Sequence, residues 1–225
     1  MARKKARRKF ALLVALAPAS RAKNFLLRRC GWNVDPRARV GPVLMHRVAA
    51  ATLGPGSRIG PFNVFRDIEE LVLERDAVIG QWNWISASRE LVAAGGTARL
   101  AMGESSALTS RHYVDASGGV TIGRFTTVAG VRSTFITHGI DWTTSKQRTR
   151  PITIGEYCLI GSNATVAPGT SVPDRVVVGM GSTLRGRLPS ENAIYHGGSV
   201  PVANVGLEGE YFTRAIGFVA PDVDD

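Results

Sequence analysis

Residues 154–184 read IGEYCLIGSNATVAPGTSVPDRVVVGMGSTL, and every sixth position is aliphatic: Ile154, Ile160, Val166, Val172, Val178 and Leu184. Isoleucine, leucine and valine make up 51 of 225 residues, so six hits in one fixed register arise by chance on the order of once in ten thousand. Six is neither the helical period nor the alternation of a half-buried strand. It asks for a short strand and a sharp corner, repeated. One inward aliphatic per side fills an interior, and three sides close a coil of about 18 residues. Successive coils then pair by parallel hydrogen bonding, at roughly 4.8 Å.

The pattern extends outward from this stretch. Leu53, Ile59, Phe65 and Leu71 form one run, and Leu73, Ile79, Ile85 and Leu91 form another, two residues out of phase. Leu108 with Val114, and Ile122 with Val128, are shorter runs. The phase shifts mark coils that are widened or that throw out a loop. Residues 92–107 lose the hexad, and Thr137 to Arg150 leave it before Pro151 and Ile152 restore it. A loop extruded from a solenoid is where function is expected.

The net charge of +10 is concentrated in one place. Residues 1–30 hold ten Lys or Arg and no acid, and the remaining 18 bases balance all 18 acids. The body therefore lacks the basic footprint of a nucleic-acid binder. The chain reads as a basic amphipathic arm (1–30), a β-helix domain (31–206) and a tail (207–225) that is acidic at its end. Within the arm, Ser20 is placed to cap a helix whose apolar edge is Phe25, Leu26 and Leu27. Such a segment either closes the end of the β-helix or lies against anionic lipid. Its short apolar run before Ala17-Pro18-Ala19 also permits a secretory-signal reading. No run reaches the roughly 18 apolar residues of a membrane span.

Cys30 and Cys158 fit no metal-ligand spacing, and a disulfide framework is not expected. No two of His46, His112, His138 and His196 lie within five residues, so no metal site is expected. His138 stands apart by its setting, at the edge of the extruded loop. An imidazole, with an ordinary pKa of about 6.5, accepts a proton from a hydroxyl at neutral pH. Asp115, Asp141 and a main-chain carbonyl are all candidates to orient it.

Thr109-Ser110-Arg111-His112-Tyr113-Val114-Asp115, Gly119-Val120-Thr121-Ile122-Gly123, Thr137-His138 and Pro151-Ile152-Thr153-Ile154-Gly155 follow one another in order. Ile160-Gly161-Ser162, Ala167-Pro168-Gly169 and Val178-Gly179-Met180-Gly181-Ser182 continue the series. These blocks resemble the hexapeptide-repeat acyltransferases, in the branch of galactoside, maltose, colanic-acid and xenobiotic acetyltransferases. The resemblance is close over 108–190 and looser back to about residue 20.

It implies an all-β fold: a left-handed parallel β-helix of hexapeptide repeats, with an N-terminal amphipathic helix and one extruded loop. It implies His138 as catalytic base and acetyl-CoA as co-substrate, with coenzyme contacts at Ser162, Met180, Arg185 and Gly186. The N–H of Gly161 or Ser162 would stabilise the oxyanion. Ser110 stands where galactoside-type members carry an acceptor-side Asn. Tyr195 to Pro201 replaces the basic segment that usually closes the family's coenzyme site.

The expected function is O-acylation, with acetyl as the acyl group, of a sugar or lipid-linked glycan in surface-polysaccharide assembly. The expected setting is a cytoplasmic homotrimer, with residues 1–30 available to touch the inner membrane face. Two other readings compete: a trimeric structural solenoid without catalysis, and a zinc carbonic anhydrase of the same fold.

Overall fold

The computed structural model describes residues 2–206, 209–217 and 219, with side chains from Ala6 onward. The acidic end of the tail lies outside the described residues. Seven coils each give one short strand to each of three parallel faces, and the fold is the left-handed parallel β-helix. The first face runs from Asn33–Val34 to Ser171–Val172, and the third from Leu44–His46 to Thr183–Leu184. The second runs from Arg39–Val40 to Val177–Val178 and adds Ala193–Tyr195, with Pro201–Asn204 antiparallel at its edge.

The six aliphatics of the deciding stretch point inward, and none is more than 2% exposed. Burying side chains of this kind contributes on the order of 2 kcal/mol each. In the last coils the stacked partners are 18 residues apart: Ile154 lies beside Val172, Ile160 beside Val178 and Val166 beside Leu184. Earlier the spacing is 20, as for Leu53 with Leu73, Ile59 with Ile79 and Phe65 with Ile85. The reason is local. The first-face strand Glu70–Leu73 turns both Leu71 and Leu73 inward, so one side of the coil is two residues longer. Leu91 departs from the expected run, because it lies in a short helix rather than a coil strand (Arg89–Ala93).

Two helices close the open end of the first coil: α1 (Ala2–Ala15) and α2 (Arg21–Arg29). Ser20 caps α2 as expected, its hydroxyl accepting from Lys23 N at 3.1 Å. The apolar edge differs from the expectation. Leu27 is buried with Ala11, Val14 and Ala15 of α1, whereas Phe25 and Leu26 face outward. Lys23, 2% exposed, fastens the cap. Its Nζ donates to the carbonyls of Ala15, Ala17 and Gly41, each at 2.7 Å. Burial lowers its pKa to about 8. Among the described residues no helix is long and apolar enough to cross a membrane.

Replacing Lys23 by Met leaves the carbonyls of Ala17 and Gly41 without a donor and that of Ala15 with Val43 N alone. Chemical denaturation should show a loss of about 2 to 4 kcal/mol. Hydrogen exchange should rise first in residues 15–43.

Candidate active site

The third-face strand Thr134–Phe135 ends at the corner leading to the first face, and there the extruded segment leaves the coil. The segment is an antiparallel hairpin, His138–Asp141 paired with Lys146–Thr149. Arg150 N donates to Thr137 O at 2.7 Å and closes its base. His138 is the first residue of the hairpin, with 34% of its side chain exposed.

Its partner comes from the coil before. The strand Tyr113–Asp115 pairs in register with Thr134–Phe135, which carries Asp115 to the same corner. Asp115 Oδ2 accepts from His138 Nδ1 at 2.7 Å, and from Thr137 N and Oγ1 at 2.8 and 2.7 Å. Its Oδ1 accepts from the Ser117 hydroxyl at 2.5 Å. Burial by itself would raise the Asp115 carboxyl, but the hydrogen bonds from Ser117, His138 and Thr137 outweigh it and hold the group below its ordinary value. An ionised carboxylate only accepts. Nδ1 therefore carries a proton, and in the neutral tautomer the lone pair is on Nε2. Of the three orienting groups the sequence left open, the structure selects Asp115. Asp141 instead accepts from Thr143 and pairs with Arg148 at 3.3 Å.

The other expected residues divide between the two edges of the third face. Ser162 and Met180 stack on successive coils at the corner entering that face, joined by a hydrogen bond from Gly181 N to Ser162 O at 2.9 Å. Neither Ser162 N nor Met180 N is hydrogen-bonded among the described residues. Gly161 N is engaged by Val178 O at 2.8 Å, so of the two oxyanion donors considered only Ser162 N is open. Ser110 lies at the same corner two coils away, its hydroxyl accepting from Gln81 N at 3.3 Å. Arg185 and Gly186 lie at the opposite corner, on the His138 side. A single chain therefore holds His138 and Arg185 on one edge and Ser110, Ser162 and Met180 on the other. The strand between them is only a few residues long, spanning roughly 10 Å.

Ser117 and Thr137 complete the site: Ser117 holds Asp115 from two residues along the same turn, whereas Thr137 meets it only across a coil, which no local pattern in the sequence marks. His112 is structural. It is 2% exposed, accepts from Ser133 N through Nδ1 at 3.1 Å, and burial lowers it to about 4. Among the described residues no three His, Cys, Asp or Glu side chains gather as metal ligands.

Because the folded Asp115 titrates below an unfolded aspartate, its stabilisation is present above pH ~4 and disappears as pH falls through the folded value. Asp115→Asn should cost about 2 to 3 kcal/mol at pH 7, and the gap to wild type should close on acidification. Urea melts from pH 7 to pH 3 measure this.

Residues 151–185 match a family model described as the hexapeptide repeat of succinyl-transferase. No curated protein matches the chain. Among solved structures, the hexapeptide-repeat acetyltransferase VCA0836 from Vibrio cholerae is 14% identical with a TM-score of 0.51, covering 90% of this chain and 93% of that one. A D94A mutant of AntD, an N-acyltransferase from Bacillus cereus solved with dTDP and coenzyme A, is 14% identical with a TM-score of 0.48, covering 78% and 82%. The polySia-specific acetyltransferase NeuO is 17% identical with a TM-score of 0.40, covering 65% and 75%. Residues 151–185 thus match a hexapeptide repeat, and the stacked three-sided coils have the left-handed parallel β-helix fold.

Proposed function

We propose that the protein is an acyl-CoA-dependent O-acyltransferase, with acetyl as the acyl group and a sugar or lipid-linked glycan hydroxyl as acceptor. The observation that carries this reading is the Asp115–His138 pair, which engages Nδ1 and leaves Nε2 of the part-exposed imidazole without a hydrogen-bond partner among the described residues. His138 Nε2 takes the acceptor proton as the hydroxyl oxygen attacks the thioester carbonyl. The resulting imidazolium is stabilised by Asp115. As the tetrahedral intermediate collapses, the C–S bond breaks and the proton passes to the departing thiolate. The open N–H of Ser162 is the donor we assign to the oxyanion. Met180 N is suited to an amide carbonyl of an extended pantetheine arm, and Arg185 to the nucleotide phosphates.

The split of these residues between two edges supports a homotrimer. If the third face of each chain turns toward a threefold axis, the His138 edge of one chain meets the Ser162–Met180 edge of its neighbour. The outward side of that face supports the idea, because Leu44, Trp84 and Tyr113 are each 40% or more exposed in the single chain. An apolar stripe of this kind ordinarily marks a contact surface.

The cytoplasmic face of a membrane, where acyl-CoA is available, is the setting we infer. Phe10, Leu13 and Leu16 of the N-terminal helical region are 47%, 65% and 48% exposed and lie on a strongly basic segment, which supports peripheral lipid contact. Removing residues 1–30 would uncover the core, so point changes are the better probe.

Replacing His138 by Ala should lower thiol release from acetyl-CoA in the presence of a glycan acceptor by about 10²- to 10⁴-fold, with the fold retained and only a modest fall in melting temperature from the lost hydrogen bond to Asp115. Activity that survives the change removes the mechanism. In sedimentation with anionic phosphatidylglycerol vesicles, Phe10→Ser with Leu13→Glu should abolish co-pelleting. Undiminished binding would rule out the lipid contact.

A further inference from the structure

The hairpin carries chemistry that proton transfer at His138 does not use. Gly139, Asp141, Trp142, Arg148 and Arg150 line a recess of about 360 Å³ with Pro168 of the next coil. The recess is tied to the base by the chain itself, since Gly139 follows His138 and Arg150 is bonded to Thr137. Three features define what would fit there.

The first is an uncovered aromatic surface. The Trp142 side chain is 88% exposed, a large flat apolar face of the type against which the C–H face of a sugar ring packs. The second is charge. Lys146, Arg148 and Arg150 alternate along one hairpin strand and its continuation. Arg148 is partly neutralised by Asp141 at 3.3 Å, whereas Arg150 makes no salt bridge among the described residues. The third is room and support. A Cβ at Gly139, which pairs with Arg148, would meet nothing within 4 Å. The Arg150 stem lies against Gly169, where a Cβ would stand 3.1 Å from Arg150 Cδ. Glycine at that corner lets the arginine lie flat, and its φ of +79° suits no other residue as well.

A planar guanidinium sharing a recess with an aromatic side chain is suited to a saccharide bearing a carboxylate, because its paired N–H donors match the two carboxylate oxygens. We propose that this recess is the acceptor subsite and that it selects acidic saccharides, those bearing a carboxylate on the sugar ring. Its role as an acceptor site rests on the acyl-transfer reading above; its affinity for acidic saccharides does not. Arg150 grips the carboxylate, Trp142 carries the ring, and the neighbouring hydroxyl is left beside His138. The other anion that could reach these arginines is a coenzyme phosphate, and the test separates the two.

Full-length protein is assayed for thiol release from acetyl-CoA with hexuronate and nonulosonate oligosaccharides, each beside its carboxyl-reduced form. The acidic form should be preferred by about tenfold or more in kcat/KM. Arg150→Gln should erase that preference by raising KM for the acidic acceptor, with KM for acetyl-CoA unchanged. Trp142→Phe should retain most turnover, whereas Trp142→Ala should raise KM for both forms. Equal use of both forms by wild type overturns the proposal. So does an Arg150→Gln variant whose KM rises for acetyl-CoA instead.

Binding is read separately, as fluorescence quenching by the same acidic oligosaccharides without acetyl-CoA, in wild type and in Trp142→Phe. Quenching that disappears with Trp142, in the absence of any turnover, sinks the acyl-transfer reading and leaves the acidic-saccharide site standing. Neither quenching nor turnover overturns both.

Discussion

Everything in this structure depends on the parallel stacking of one coil on the next. Each strand is only two to four residues long and would not persist alone. It persists because the coils above and below supply its hydrogen-bond partners, and because one or two inward aliphatics per side fill the interior. The same stacking sets long-range geometry. Where no segment is inserted, residues 18 to 20 apart in sequence fall at the same place on successive coils, so a property repeated at that interval becomes a column on the surface.

The site follows from that constraint at one corner. Asp115 and His138 are 23 residues apart, yet adjacent coils in register bring the carboxylate within 2.7 Å of the imidazole. The carboxylate is buried and carries hydrogen bonds from Ser117 and Thr137 as well, so the fold itself holds it in place. The hairpin is attached at this point and interrupts neither neighbouring coil. Its base is closed by the Arg150–Thr137 bond, and Ile152 pairs with Val120 as if the excursion were absent. A rigid column thus carries the hairpin as an appendage, an arrangement that keeps the imidazole fixed at its base.

The ends of the column need different solutions. At the first coil, α1 and α2 cover the interior, and a buried lysine satisfies three carbonyls at once. At the last, the Ala193–Tyr195 strand adds to the second face, and the fully buried Tyr195 closes the interior, its hydroxyl bonded to Ser190. The segment that departs from the resembled family's closing motif therefore fills a structural position. Its Ser199 hydroxyl also accepts from Arg185 N at 2.8 Å.

The sequence by itself determined the coil. The six-residue spacing from Ile154 to Leu184 marks the inward positions directly, because a side chain that must be buried once per strand leaves a periodic trace. It also located the interruption that holds His138, and the 18-residue offset that stacks Ser162 and Met180. Longer coils were harder to read, since Leu71 and Leu73 both point inward and two adjacent frames then look like a break. Only the tertiary structure decided the rest. Which carboxylate orients His138, that Gly161 N is consumed by the ladder while Ser162 N is open, and that Ser162 and Met180 lie on the opposite edge of one face from Arg185 all depend on contacts between coils. Those contacts join residues about 20 positions apart, and no local pattern in the chain records them.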